Sequence, residues 1–196
     1  TDYLQSKYGN AQLVSAFHQF DEVVVPEKTM DFAFYHGNLS VGENNEAALY
    51  LVNEVFTGSE FHLKIAGNQP SAALKKACAE NANIDLYENF TSTEINEMLS
   101  SARVNVLPTF QSTGIKLKLL AALFSGGHCL VNSPMVIGTS LEELVTIADT
   151  TETMKSALKE LLKQEFPAEN ISFRKEKLVR FQNKFTADCL IKLLEG

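Results

Sequence analysis

Cysteine is scarce and unpaired in this sequence. Cys78, Cys129 and Cys189 are the only three in 196 residues and have no C-x-x-C spacing, which fits neither a disulfide framework nor a cysteine-built zinc site. A reducing, cytoplasmic setting is the expectation. No apolar run reaches the roughly 20 residues that cross a bilayer, and the opening TDYLQSKYGN lacks a signal peptide's apolar region. Basic residues are outnumbered, 17 against 24 acidic, for a net charge of −7. Affinity for a phosphate backbone comes from clustered Lys and Arg releasing counterions, so nucleic acid is not an expected partner. The chain starts at Thr1 rather than Met, which reads as a segment cut from something longer.

The motifs of several enzyme classes are missing too. The first strand-like run leads into GNLSVG, which has the wrong spacing and no middle glycine for the G-x-G-x-x-G dinucleotide fingerprint. There is no G-x-x-x-x-G-K-[ST] loop and no G-x-S-x-G nucleophile turn. His18, His36, His62 and His128 stand at no metal-ligand spacing, so neither a metal nor a cofactor is expected. The end of the first strand also lacks the acidic cluster of a metal-dependent phosphoacceptor. A flavin-binding doubly wound domain, visible as a yellow protein, is a weaker alternative.

What is present is a regular alternation. Short apolar, β-branched runs end at Gly, Pro or Asn and are followed by longer stretches of helical spacing, the pattern of an α/β doubly wound (Rossmann-like) parallel sheet of about six strands. Strands are predicted at Phe32 to Gly37, His62 to Gly67, Asn83 to Tyr87, Arg103 to Pro108, His128 to Asn132 and Leu144 to Ala148. Helices are predicted at Asn44 to Phe56, Ser71 to Asn81, Thr93 to Ala102, Ile115 to Ser125 and Thr151 to Gln164. Thr91, Ser92 and Thr93 before Glu94 supply capping side chains, and Gly126 and Gly127 end the LKLLAALFS helix.

Residues 31–167 read as one domain. Residues 1–30, with a helical pattern in AQLVSAFHQF and a strand-like DEVVVPEKT, read as a connector or the remnant of a preceding domain. Residues 168–196 read as one or two helices with an apolar stripe of Ile171, Leu178, Phe181, Phe185, Leu190 and Leu194, packing on the domain or on a missing lobe. Arg174, Lys175, Lys177, Arg180 and Lys184 make this end basic. Such a helix sits on an anionic membrane surface or a partner, or it is simply a solvated face.

In an open parallel sheet, ligands bind where the carboxyl-side loops converge. The loop before the Ile115 to Ser125 helix, PTFQSTGIKLK, sets Ser112, Thr113 and Gly114 ahead of the helix and Lys116 and Lys118 in its first turn. Cations disfavour a helix N-terminus, so the two lysines either face an anion there or snorkel into solvent. His36, at the first strand's end, is either a functional imidazole or a satisfied structural one.

The ordered set FAFYHGNLSVGEN, FHLKIAGN, IDLYENFTSTEINEMLSSARVNVLPTF, GIKLKLLAALFSGGHCLVN and GTSLEEL resembles the C-terminal, nucleotide-sugar-binding half of group 1 glycosyltransferases of GT-B architecture, over about residues 32–162. The resemblance implies a nucleoside diphosphate sugar donor at the strand ends. It also implies a saccharide or lipid-linked acceptor held by a separate N-terminal domain, in an enzyme assembling surface polysaccharide or glycolipid. By that likeness the diphosphate lies near Gly37, Asn38, Thr113 and Gly114, with Lys116, Lys118 and the Thr139 and Ser140 backbone as further contacts, and the base near Asn89 and Phe90.

The sequence departs from the family where charge matters. An Arg and a Lys usual in the first loop match Asn38 and Glu43, and a glutamate facing a diphosphate repels it. The family's paired glutamates align with Thr113 and Ala121. Either the donor site is rearranged around Lys116 and Lys118, or the chain is a catalytically silent α/β interaction module.

Overall fold

The computed structural model describes residues 2–9, 11, 12, 14–24, 29–111 and 116–195. Its elements are α1 (Asp2–Tyr8), β1 (Met30–His36), α2 (Gly42–Tyr50) running on into a π-helical turn at Leu51–Val55, β2 (His62–Ala66), α3 (Ala72–Ala79) and β3 (Ile84–Tyr87). They continue as α4 (Ser92–Ser101), β4 (Ala102–Val106), α5 (Leu117–Phe124), β5 (His128–Val131), α6 (Ser133–Val136), a 3-10 turn at Glu142–Leu144 and β6 (Thr146–Ile147). Last come α7 (Thr151–Leu161), α8 (Ala168–Leu178), a 3-10 turn at Val179–Phe181 and α9 (Asn183–Glu195).

The six strands form one parallel sheet in the order β3-β2-β1-β4-β5-β6. Strands covered on both faces need apolar side chains on both, and Ala33, Phe34 and Tyr35 of β1 and all of β4 are buried. The chain builds outward from β1 to β3, returns through α4, and builds outward again from β4 to β6. The loops after β1 and β4 therefore run in opposite directions and open a crevice between them, the position where this topology binds ligands.

The local signals work as read. Thr91 Oγ1 accepts from Glu94 N at 3.2 Å while the Glu94 carboxylate accepts from Thr91 N at 2.8 Å, closing a capping box on α4. Gly127 follows α5 at φ +71, where a Cβ would lie 2.9 Å from the Ala102 carbonyl.

Four readings change in the structure. The described residues of AQLVSAFHQF are not helical: His18 N donates to Asn183 Oδ1, Asn183 Nδ2 donates to the His18 carbonyl, and the His18 ring meets the Phe181 carbonyl at 2.7 Å. Bonds to the 181–183 segment thus replace helical ones. Val23 and Val24 form no strand, Val24 N donating instead to the Phe124 carbonyl, and the rest of DEVVVPEKT up to Lys28 lies outside the described residues. The sixth strand shrinks to Thr146–Ile147 because Glu142–Leu144 coils into a 3-10 turn. The C-terminal stripe is broken by the turn at Val179–Phe181: Ile171 and Leu178 are buried, while Phe185, Leu190 and Leu194 are exposed.

Candidate functional site

The crevice is built from the end of β1. Gly37 N donates to the Ala66 carbonyl at 3.1 Å, and a Cβ on Gly67 would stand 2.1 Å from the Gly37 carbonyl oxygen, so the two loops approach closely only because residue 67 is glycine. Asn38 closes the turn, its Oδ1 accepting from Ser40 N and Ser40 Oγ at 3.2 and 2.8 Å.

Asn44, in the first turn of α2, ties this loop to α5. Its Nδ2 donates to the Asn38 carbonyl at 3.0 Å, its own carbonyl accepts from Tyr35 Oη at 2.9 Å, and its Oδ1 accepts from Lys118 Nζ at 2.8 Å. The Lys118 ammonium is half-buried and lies 5.3 Å from the Tyr35 ring centre. Burial pushes it down to about 8, with Glu43 opposing the shift and Lys116 adding to it. Burial and then Lys118 push His36 down to about 4, so its imidazole is neutral at pH 7. His36 stacks on Phe34 with ring centres 5.7 Å apart, and its buried Nε2 has no partner among the described residues.

Glu43 does not simply confront the crevice. Its carboxylate accepts a short hydrogen bond from Thr109 Oγ1 and offsets Lys118. Thr109 is fixed in turn by Asn132, whose Oδ1 accepts from Thr109 N at 2.9 Å and whose Nδ2 donates to the Thr109 carbonyl at 2.7 Å. One polar network thus joins the ends of β1, β4 and β5. Asn44, Thr109 and Asn132 were not singled out from sequence. The available signal was an asparagine in the first turn after a glycine loop.

The other candidates are dispersed. Lys116 precedes α5, and its Nζ donates to the Gln111 carbonyl at 2.9 Å rather than joining Lys118. Thr113 and Gly114 lie outside the described residues. Lys116, Thr139 and Ser140 line a cavity of about 420 Å³ together with Leu120, Arg180 and Phe181. Arg180 Nη2 donates to the Thr139 and Ser140 carbonyls at 3.1 and 2.9 Å, removing two acceptors from the cavity rim. Asn89, at φ +63, and Phe90, edge-on to Tyr87 at 5.3 Å, follow β3. With β2 between β3 and β1, they stand roughly 10 Å from the crevice by strand spacing. Ala121 is buried in α5.

Of the basic C-terminal residues only Arg174 is buried; Lys175 and Lys184 are exposed, Lys177 pairs with Glu143 at 2.9 Å, and Arg180 holds the 139–140 turn. Among the described residues, no group of three or more His, Cys, Asp or Glu is placed to hold a metal, and no helix is long and apolar enough to cross a membrane.

Residues 32–164, more than half of the chain, match the family model of group 1 glycosyl transferases. The chain belongs to the group 1 glycosyltransferases. Solved structures agree with this glycosyltransferase on the fold. A single-residue mutant of S. aureus TarM, in complex with Fondaparinux, alpha-GlcNAc-glycerol and UDP, superposes with a TM-score of 0.69 at 14% identity, over 98% of this chain and 41% of its own. AviGT4, a glycosyltransferase involved in Avilamycin A biosynthesis, gives 0.59 at 15% over 86% of this chain and 53% of its own. The UDP-forming α,α-trehalose-phosphate synthase of Burkholderia xenovorans, in complex with glucose-6-phosphate, gives 0.59 at 11% over 86% and 44%. This group 1 glycosyltransferase chain therefore spans between 41% and 53% of the length of those structures. No curated protein matches it in sequence.

Proposed function

We propose that residues 31–167 are the donor-binding domain of a cytoplasmic glycosyltransferase, taking a nucleoside diphosphate sugar at the carboxyl ends of β1 and β4. An N-terminal domain, reached through residues 1–30, presents a saccharide or lipid-linked acceptor across a cleft, in the assembly of polysaccharide or glycolipid. The observation that carries this reading is Lys118: a half-buried ammonium held by Asn44 at the topological switch point.

Glycosyl transfer develops oxocarbenium character on the sugar while the diphosphate departs as an anion, so a preorganised cation beside the leaving group lowers the barrier. Lys118 serves that role, with the Gly37–Asn38 backbone, Thr113, Gly114, Lys116 and the Thr139–Ser140 turn around the diphosphate, and Asn89 and Phe90 toward the base. Burial lowers Lys118 and Glu43 opposes that shift, so the ammonium is mostly charged at neutral pH before the donor arrives. Membrane contact through α8 forms no part of the proposal: Arg174 is buried on Phe166 and Lys177 pairs with Glu143, which leaves Lys175 as its one exposed cation without a contact among the described residues.

Thermal stability with UDP, GDP and ADP and their sugars tests this, UDP heading the panel because the S. aureus TarM structure contains it. A ligand at 100 times its Kd adds about 2.7 kcal/mol, a rise of roughly 5 to 11 °C for a domain of this size. Lys118→Ala cuts the rise to about half or less. Ala121, where the family has a glutamate, favours the second reading, a catalytically silent interaction module. That reading predicts no stabilisation by any member of the panel.

A further inference from the structure

At the opposite, amino end of the sheet, β5 begins at His128 against α8, and a cavity of about 120 Å³ lies between them. Arg174 lines it, only 2% exposed. Its guanidinium lies 4.3 Å over the Phe166 ring, yet its buried Nη1 has no hydrogen-bond partner and no carboxylate pairs with it among the described residues.

The contrast with neighbouring Arg103 is instructive. That guanidinium, also buried, meets Asp31 at 2.7 Å and Glu165 at 2.8 Å. The acids close to Arg174 are thus committed elsewhere: Glu165 to Arg103, and Glu143, on the cavity wall, to Lys177. Neither remaining titratable neighbour supplies a negative charge. Burial pushes the Cys129 thiol up to about 12, and His128, lowered mainly by burial, lies with Nε2 3.2 Å from the Gln164 carbonyl. Burial lowers Arg174 to about 10, which leaves it charged at neutral pH.

A buried, hydrogen-bond-poor guanidinium without a counter-ion is among the costliest arrangements a fold can hold, and five donors in a planar fork suit an oxyanion. Arg174, Asn170 and Thr146 all border the cavity. Its volume equals about four waters at ~30 Å³ each, room for a phosphate or a carboxylate but not for a nucleotide. We propose that this cavity is a small-oxyanion site, formed between α8 and β5, in which Arg174 takes a free phosphate or carboxylate anion. It lies away from the proposed donor edge and does not depend on that reading.

The test is a thermal titration of the chain with inorganic phosphate and, separately, acetate. Ionic strength is held by a sulfonate buffer too bulky for the cavity. The wild type gains a rise of about 4 °C at ten times Kd that grows with the logarithm of anion concentration beyond it. Arg174→Met shows only the shallow, linear slope of a general salt effect. In the sulfonate buffer alone this variant is at least as stable as the wild type, since the uncompensated charge is gone. The anion that gives the logarithmic rise identifies which oxyanion the site takes.

An equal response in both proteins, or no logarithmic response to either anion, overturns the proposal. So does a variant weakened by the same amount at every concentration, which would make Arg174 a packing residue on Phe166. Should Arg174→Met fail to fold, wild-type crystals soaked in selenate decide: an anomalous peak within hydrogen-bond distance of Arg174 Nη1 supports the site, and an empty cavity overturns it.

Discussion

Lys118→Met and Lys118→Arg probe the proposed diphosphate cradle most sharply when UDP binding is followed by calorimetry from pH 7 to 9.5. A charge-assisted contact from an ammonium to a phosphate oxygen is worth about 1.5–3 kcal/mol, so the methionine variant binds about 10- to 150-fold more weakly at pH 7. The pH dependence follows from burial, which sets the free Lys118 near 8. A bound diphosphate favours the charged form and raises that value, so affinity is nearly constant below pH 7.5 and declines above 8. At pH 9 the wild type binds about tenfold more weakly than at pH 7, since about nine in ten free lysines are then neutral. The arginine variant stays charged and gives a flat profile. His36, pushed down to about 4, stays neutral throughout and adds no slope. A flat wild-type profile, or a methionine variant that binds as tightly as wild type, refutes the role assigned to Lys118.

The same lysine gives the unliganded protein the opposite trend. Its folded value near 8 lies below the ordinary 10.5, so between those values the unfolded chain binds the extra proton and this lysine's contribution to stability rises with pH; chemical denaturation at pH 8 and 10 detects it as a gain of the wild type relative to Lys118→Met, which shares the opposite contribution of the buried Cys78 and Cys129 thiols. Gly67→Ala drives a Cβ into the Gly37 carbonyl and Leu39, costing about 3 kcal/mol, read as a lower urea midpoint at unchanged slope. Asn132→Ala strands the buried N–H and carbonyl of Thr109, costing about 2–4 kcal/mol and exposing the Thr109 amide to faster hydrogen exchange.

The sheet was legible because each strand carries its own apolar run and each crossover its own helical period, both local signals. The capping box at Thr91 and the glycines after α5 were legible for the same reason. Residues 11–20 were not, because their periodicity suits a helix while bonds to Asn183, 165 residues from His18, decide their path. The candidate site fared likewise. Lys116 and Lys118 look like a pair in sequence, but residues two apart on a helical turn point to different sides. Lys118 reaches Asn44, 74 residues away, and Lys116 the Gln111 carbonyl. Thr109 and Asn132 looked like ordinary loop residues until β4 and β5 were set side by side, and Glu43 looked repulsive until Thr109 and Lys118 were set against it.

The most direct measurement is backbone amide chemical-shift mapping of the isotopically labelled chain during titration with UDP, GDP and ADP. A switch-point diphosphate site predicts saturable shifts concentrated at Gly37, Asn38, Asn44 and Lys118 with at least one of the three. Saturating nucleotide that leaves those amides unmoved, or moves only residues at the other end of the strands, contradicts it.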